Sequence, residues 1–136
     1  MEIREYTEYR QGEVIRLYDS AGWTAYTRDP DSLRDGFLNS LLVLAAWEDG
    51  RLAGIIRAVG DGATIVYIQD LLVSPEHRRK GIGKALVNAV LNRYDAVRQI
   101  VLMADDTPET EAFYRSMGFR EVSELGCRAY MRPSEK

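Results

Sequence analysis

Residues 78–84 read Arg-Arg-Lys-Gly-Ile-Gly-Lys, a basic segment that contains two glycines. The apolar run from Ile68 to Val73, closed by Ser74-Pro75, predicts a strand before it, and apolar residues at helical spacing predict a helix from Ile82 to about Arg93. The first amides of a helix have no partner within the helix and carry partial positive charge. Glycine has no Cβ, so an anion can approach the backbone closely. The sequence therefore predicts a pyrophosphate-binding site where this helix begins.

Two familiar phosphate-binding loops do not match this spacing. An ATP-binding P-loop needs glycine where Arg78 stands and Ser or Thr where Ala85 stands. The dinucleotide fingerprint needs a third small residue where Leu86 stands. The pattern that remains is Arg-x-x-Gly-x-Gly, fixed by Arg78, Gly81 and Gly83.

A second stretch, residues 112–119, reads Ala-Phe-Tyr-Arg-Ser-Met-Gly-Phe and predicts a helix that ends at a Gly-Phe pair before a strand. Together with residues 70–75 and the glycine loop, it resembles the GNAT superfamily of acetyl-CoA-dependent N-acetyltransferases. The resemblance covers nearly the whole chain and is most specific from Ile65 to Phe119, whereas residues 1–45 are less diagnostic.

Composition is typical of one soluble globular domain spanning residues 1–136, with 46% apolar and 29% charged residues. No apolar stretch has transmembrane length and the N-terminus lacks a signal-peptide pattern, so we expect a cytoplasmic protein with no membrane partner. The net charge of −3 argues against nucleic acid as a partner, because phosphate neutralisation needs a broad basic face. A single histidine and a single cysteine provide no metal-ligand pattern.

The predicted element order is βααβββαβαββ, an α/β fold with a mixed, mostly antiparallel sheet and helices on both faces. Asp49-Gly50 predicts a hairpin turn, and residues 119–122 and 127–131 predict a closing pair of strands, the second of which includes Cys127. The resemblance implies the GNAT fold. It also implies that the fourth and fifth strands splay apart, so that the pantetheine arm of the coenzyme pairs with the fourth strand.

Coenzyme contacts are expected from the basic loop, the fourth strand and the second stretch. Three cations before a helix N-terminus oppose its dipole unless an anion is bound there, which favours phosphate binding over a merely solvated surface. The resemblance implies an oxyanion-binding backbone amide at Leu72 or Val73. Thr107 stands where many family members have asparagine, so it either contacts the coenzyme arm or only caps a helix. The expected acetyl-CoA-binding residues are Leu71, Leu72, Val73, Arg78, Arg79, Lys80, Gly81, Ile82, Gly83, Lys84, Thr107 and Tyr114.

Acetyl transfer to an amine requires a neutral amine, a donor to the developing oxyanion and a proton for the departing thiolate. The resemblance implies that Tyr114 supplies that proton, and the alternative is a tyrosine packed beside Phe113. Asp70 is the candidate base. The alternatives left open are that Asp70 binds the amine, or that it pairs with an arginine such as Arg57, because a carboxylate inside a strand is costly unless it is paired or functional.

Acceptor specificity is expected from the link between the first two helices, where Trp23 and Tyr26 would form an aromatic wall near Asp70. The expected function is transfer of acetyl from acetyl-CoA to the primary amine of a small molecule, by direct attack in a ternary complex. The alternative is a catalytically silent acyl-CoA-binding sensor or regulatory module, against which the presence of both Asp70 and Tyr114 argues. The acceptor and the oligomeric state stay open, with a homodimer among the options.

Overall fold

The computed structural model describes residues 1–134 and divides into two compact units, Met1–Met103 and a second unit that starts at Ala104. The strands are β1 (Glu2–Glu5), β2 (Leu42–Glu48), β3 (Arg51–Gly60), β4 (Ile65–Val73) and β5 (Gln99–Leu102). The helices are α1 (Gln11–Ser20), α2 (Thr24–Thr27), α3 (Pro30–Leu38), α4 (Ile82–Arg93) and α5 (Pro108–Ser116), with short 3₁₀ turns at Pro75–His77 and Val122–Leu125.

The sheet has the order β1-β2-β3-β4-β5, antiparallel in its first three pairings and parallel between β4 and β5. The predicted α/β fold with a mixed, mostly antiparallel sheet is therefore confirmed. The hairpin between β2 and β3 turns at Asp49 and Gly50, which both have positive φ. Helix α3 also begins as its sequence favours, with Pro30 in its first turn and the Asp29 side chain accepting a hydrogen bond from the Ser32 amide at 3.3 Å.

The first unit buries apolar side chains on both faces of the sheet. One face packs against α1 and α3, where the core consists of Val14, Leu17, Tyr18, Leu33, Phe37, Val43, Ala45, Ile55 and Leu72. Gly54, next to Ile55 on β3, faces α4 instead. A Cβ at Gly54 would lie 3.0 Å from Ile82 Cγ2 and 3.0 Å from the Leu72 carbonyl oxygen. Glycine at this position therefore allows the beginning of α4 to approach the sheet closely.

Strands β4 and β5 pair only along the first part of β4, from Ile65 opposite Gln99 to Ile68 opposite Leu102. Beyond that point, residues 70–73 of β4 pair with β3 and have no strand partner on their other side within the described residues. We call this the open β4 edge. A register shift against β3 leaves Gln69 as an extra residue between Ile68 and Asp70, which is a β-bulge.

The predicted closing strands at 119–122 and 127–131 are wrong. Residues Val122–Leu125 form a 3₁₀ turn, and residues 126–134 form neither helix nor strand. Reciprocal hydrogen bonds hold the turn: Glu121 accepts from the Ser123 amide at 2.6 Å, and Glu124 accepts from the Glu121 amide at 3.2 Å. Local side-chain bonds of this kind compete with strand pairing. Cys127, expected within the last strand, is exposed.

One further difference concerns the helices. The short helix α2, at Thr24–Thr27, was not predicted as a separate element. In the part of the chain that the structure describes, none of the helices is both long and apolar enough to cross a membrane.

Candidate functional site

The basic loop, residues 78–81, leads directly into α4 with its backbone in an unusual conformation. Arg79 and Gly81 have φ of 64° and 79°, and Gly81 is the N-cap of α4. Among residues 1–134, no side chain caps this helix, and its first turn has no acidic residue. The first amides of α4 are therefore left for an external acceptor. Arg78 and Lys80 are exposed in the same loop, so the predicted arrangement for a compact anion is present.

Ile82 anchors the beginning of α4. The residue is 1% exposed and its side chain packs against Gly54 of β3. Its backbone amide, rather than its side chain, is therefore available to a ligand. Gly83 is partly exposed and Lys84 is exposed. The structure thus places the predicted loop residues at one helix start, with charged side chains outside and an apolar anchor inside.

The open β4 edge contains the other predicted coenzyme contacts of the first unit. Leu71, Leu72 and Val73 pair with Ile56, Ile55 and Gly54 of β3. On the side where the pairing with β5 has ended, their backbone groups have no strand partner within residues 1–134. Unpaired strand groups are ready to pair with an extended ligand.

Asp70 is 1% exposed, and both of its carboxylate oxygens accept hydrogen bonds. Oδ2 accepts from the Tyr18 hydroxyl at 2.7 Å and from Arg57 Nε at 2.8 Å. Oδ1 accepts from the Tyr26 hydroxyl at 2.8 Å, and the same hydroxyl accepts from Gln69 Nε2 at 3.0 Å. We call Tyr18, Tyr26, Arg57 and Asp70 the Asp70 cluster. Pairing of Asp70 with Arg57, one of the alternatives left open by the sequence, is what the structure shows.

The electrostatics of the Asp70 cluster keep its phenols protonated. Burial, together with the nearby negative charge of Asp70, raises the pKa of Tyr18. Burial is also the largest cause that raises the pKa of Tyr26. For Arg57, burial alone would lower the pKa, but the charge and hydrogen bond of Asp70 outweigh it and the pKa is raised. The tyrosines therefore act as donors and Asp70 as the acceptor.

The predicted acceptor-side residues lie together. The rings of Trp23 and Tyr26 stack with centroids 5.9 Å apart, and the hydroxyl of Tyr26 reaches Asp70. Tyr18 and Gln69 belong to this group but were missed. Helical spacing by itself indicates only that Tyr18 belongs to the apolar face of α1, but a buried tyrosine hydroxyl requires a partner, and that requirement is the available signal.

The second unit contains Thr107 and Tyr114. Thr107 is the N-cap of α5 and accepts from the Thr110 amide at 3.2 Å, so it has the helix-cap role. Tyr114 packs edge-on against Phe113 and Phe119, with ring centroids 5.0 and 5.6 Å away. Burial, and then the negative charge of Asp105, raise the pKa of Tyr114, which keeps its phenol protonated at neutral pH.

Comparison with known proteins decides the family. A family model described as "Acetyltransferase (GNAT) domain" matches residues 7–132. The chain belongs to the GNAT acetyltransferase family. A solved GNAT family acetyltransferase from Streptococcus pneumoniae TIGR4 is similar to it, with 31% identity and a TM-score of 0.88 over 99% of this chain and 98% of that one.

Other relatives are more distant. The PaiA N-acetyltransferase from Thermoplasma acidophilum, solved in complex with coenzyme A, shares the fold at 19% identity and a TM-score of 0.72, covering 88% of this chain and 89% of that one. An uncharacterized N-acetyltransferase from Gracilaria tenuistipitata var. liui is 28% identical over 111 residues, which is 79% of this chain and 60% of that protein. This GNAT chain thus spans about three fifths of the length of that curated relative.

Proposed function

We propose that this GNAT protein transfers the acetyl group of acetyl-CoA to the primary amine of a small molecule, by direct attack in a ternary complex. The observation that carries the proposal is the uncapped start of α4 behind an exposed basic loop, in the same unit as the open β4 edge. A helix start of this kind binds phosphate, and an open strand edge binds an extended polar chain. Coenzyme A contains both chemical groups in one molecule.

The residues present fit such a coenzyme. The amides at the start of α4, with Arg78, Arg79, Lys80 and Lys84 around them, would hold the phosphates. Backbone groups of Leu71, Leu72 and Val73 would pair with the pantetheine arm, and an amide at Leu72 or Val73 would donate to the carbonyl oxygen. The coenzyme supplies a thioester-activated acetyl group.

The reaction forms a carbon–nitrogen bond and breaks the carbon–sulfur bond. The thiolate that leaves needs a proton, and Tyr114 is proposed to donate it because its raised pKa keeps the phenol protonated. The nitrogen must lose a proton after it attacks. A base role for Asp70 stays a prediction, but the three donors on its carboxylate favour a positioning role. We therefore propose that the proton from nitrogen leaves to water.

The acceptor side is proposed to be Trp23, Tyr26 and the neighbouring Asp70. The stacked rings of Trp23 and Tyr26 are both partly exposed, and they offer an apolar surface beside polar groups. Such a surface suits an amine on a small carbon framework.

The test measures thiol release from acetyl-CoA over a panel of amines, with calorimetry of coenzyme A binding alongside. Replacing Arg78 by Gln removes a charged phosphate contact, so we expect coenzyme A to bind at least about tenfold more weakly. Arg51→Gln, which changes an exposed arginine at the β2–β3 turn, is the matched control and should leave binding unchanged.

Two results would count against the proposal. Absence of binding by the wild-type protein at millimolar coenzyme A would remove the transferase assignment. Tight coenzyme binding with no thiol release over the whole amine panel would instead favour the catalytically silent acyl-CoA-binding module.

A further inference from the structure

We propose that Tyr26 and Gln69 hold the acceptor nitrogen through two oxygen atoms that accept its two N–H bonds, and that Asp70 keeps Tyr26 in this accepting role. The inference rests on the proposed function and names the group that recognises the amine. The basic loop and the backbone groups of Leu71, Leu72 and Val73, which are proposed to bind the coenzyme, are not part of this amine site.

The direction of the hydrogen bonds at Tyr26 determines its role. A carboxylate paired with Arg57 can only accept, so the single phenolic proton of Tyr26 points at Asp70 Oδ1, 2.8 Å away. Gln69 Nε2 donates to the same phenolic oxygen at 3.0 Å and uses one of its two lone pairs. The remaining lone pair can accept but the hydroxyl has no proton left to donate. Tyr26 is therefore an obligate acceptor for an incoming ligand.

Gln69 supplies the second oxygen. Neighbouring residues of a regular strand point to opposite faces of the sheet, yet Gln69 and Asp70 both reach the Tyr26 hydroxyl. The β-bulge at Gln69 explains this, because an extra residue re-aims its side chain. With Nε2 bonded to Tyr26, the amide oxygen Oε1 has no hydrogen-bond partner within the described residues, and the side chain is exposed.

Two accepting oxygens suit one kind of nitrogen. A neutral primary amine has two N–H bonds and one lone pair, so holding both N–H bonds leaves the lone pair free for attack. A neutral N-methyl amine has one N–H bond and loses one contact. Because Arg57 balances the charge of Asp70, recognition depends on hydrogen-bond donors rather than on positive charge. The ring of Trp23, stacked on Tyr26, lies beside this pair and would cover the carbon framework of the amine.

The experiment compares 2-phenylethylamine with its N-methyl derivative as acceptors. Gln69→Leu should raise the KM for the primary amine about three- to tenfold and reduce the preference for the primary amine by a similar factor, because one neutral hydrogen bond is lost. The KM for acetyl-CoA should not change. Tyr26→Phe should give the same pattern. Gln99→Leu and Tyr67→Phe are the matched controls, since within the described residues neither side chain hydrogen-bonds to Tyr26, Gln69 or Asp70.

A second readout does not require turnover. Calorimetry with 2-phenylethylamine should show weaker binding to Gln69→Leu than to the wild type, and Gln69 is exposed, so the variant should fold. Equal affinity and equal preference in the two proteins would overturn the inference. Amine binding that depends on Gln69 without any thiol release would contradict the proposed function alone, and failure of the wild type to bind any amine would overturn both.

Discussion

Replacing Asp70 by asparagine removes one charge from a buried pair and leaves the shape of the side chain almost unchanged. The side chains of Arg57 and Asp70 are 7% and 0% exposed, so the guanidinium would be left without a counter-charge away from water. Oδ2 also accepts from two donors, and an amide nitrogen in that position would face both of them. Removing one partner of a buried pair costs about 3–5 kcal/mol.

Urea unfolding, followed by far-ultraviolet circular dichroism, measures this loss. The free energy of unfolding should fall by about 3–5 kcal/mol, and the melting temperature by about 10–20 °C. Arg57→Met should also destabilise the protein, and the double variant should lose at least about 1 kcal/mol less than the sum of the two single losses. Asp19→Asn, at an exposed position, is the control. A loss below about 1 kcal/mol for Asp70→Asn, or additive effects in the double variant, would refute a buried charge pair.

Three further predictions concern other parts of the chain. Gly54→Ala should destabilise the protein by about 1–3 kcal/mol in urea unfolding because its Cβ would press on Ile82, whereas Gly12→Ala, with open space around its Cβ, should not. Hydrogen bonds, first from Thr64, lower the pKa of Asp61, so its contribution is present at neutral pH and is lost as pH falls through the lowered value. Asp61→Asn should therefore shift the urea midpoint most near neutral pH and least in strong acid, and a pH-independent shift would contradict this. Tyr114→Phe should lower kcat at least about tenfold with unchanged coenzyme A affinity by calorimetry, and unchanged kcat would remove the acid role.

The strand, loop and helix of the proposed coenzyme site could be predicted because their signals are local. Glycines, a proline and apolar spacing within residues 68–93 determine a strand, a loop and a helix, and the structure has all three there. The Asp49-Gly50 turn is equally local. The prediction of the closing strands was wrong because strand formation does not depend on local signals alone. A strand is stable only when it pairs with another strand. The alternation of residue types within residues 119–131 does not reveal that the side chains of Glu121 and Glu124 accept hydrogen bonds from the backbone of this segment and form a turn.

The Asp70 cluster and its aromatic neighbours could be predicted only in part. The sequence predicts that Trp23 and Tyr26 lie near Asp70, but it does not predict the hydrogen bond between Tyr26 and Asp70. Tyr18 meets Asp70 across 52 positions of sequence, and no local pattern records such a contact. The direction of the Gln69 side chain is set by the β-bulge. The bulge depends on the pairing of β4 with β3, so the sequence of one strand alone does not predict it.

The Asp70 cluster also limits how such a protein can be redesigned. Two of the donors to its carboxylate come from the segment that begins at Tyr18 and ends at Tyr26, whereas the carboxylate and the guanidinium come from the sheet. A graft that exchanges this helical segment to change acceptor preference must bring its own hydroxyl donors. Without them, the buried carboxylate of Asp70 would lose two hydrogen-bond donors, and we expect the chimera to be less stable than the parent protein.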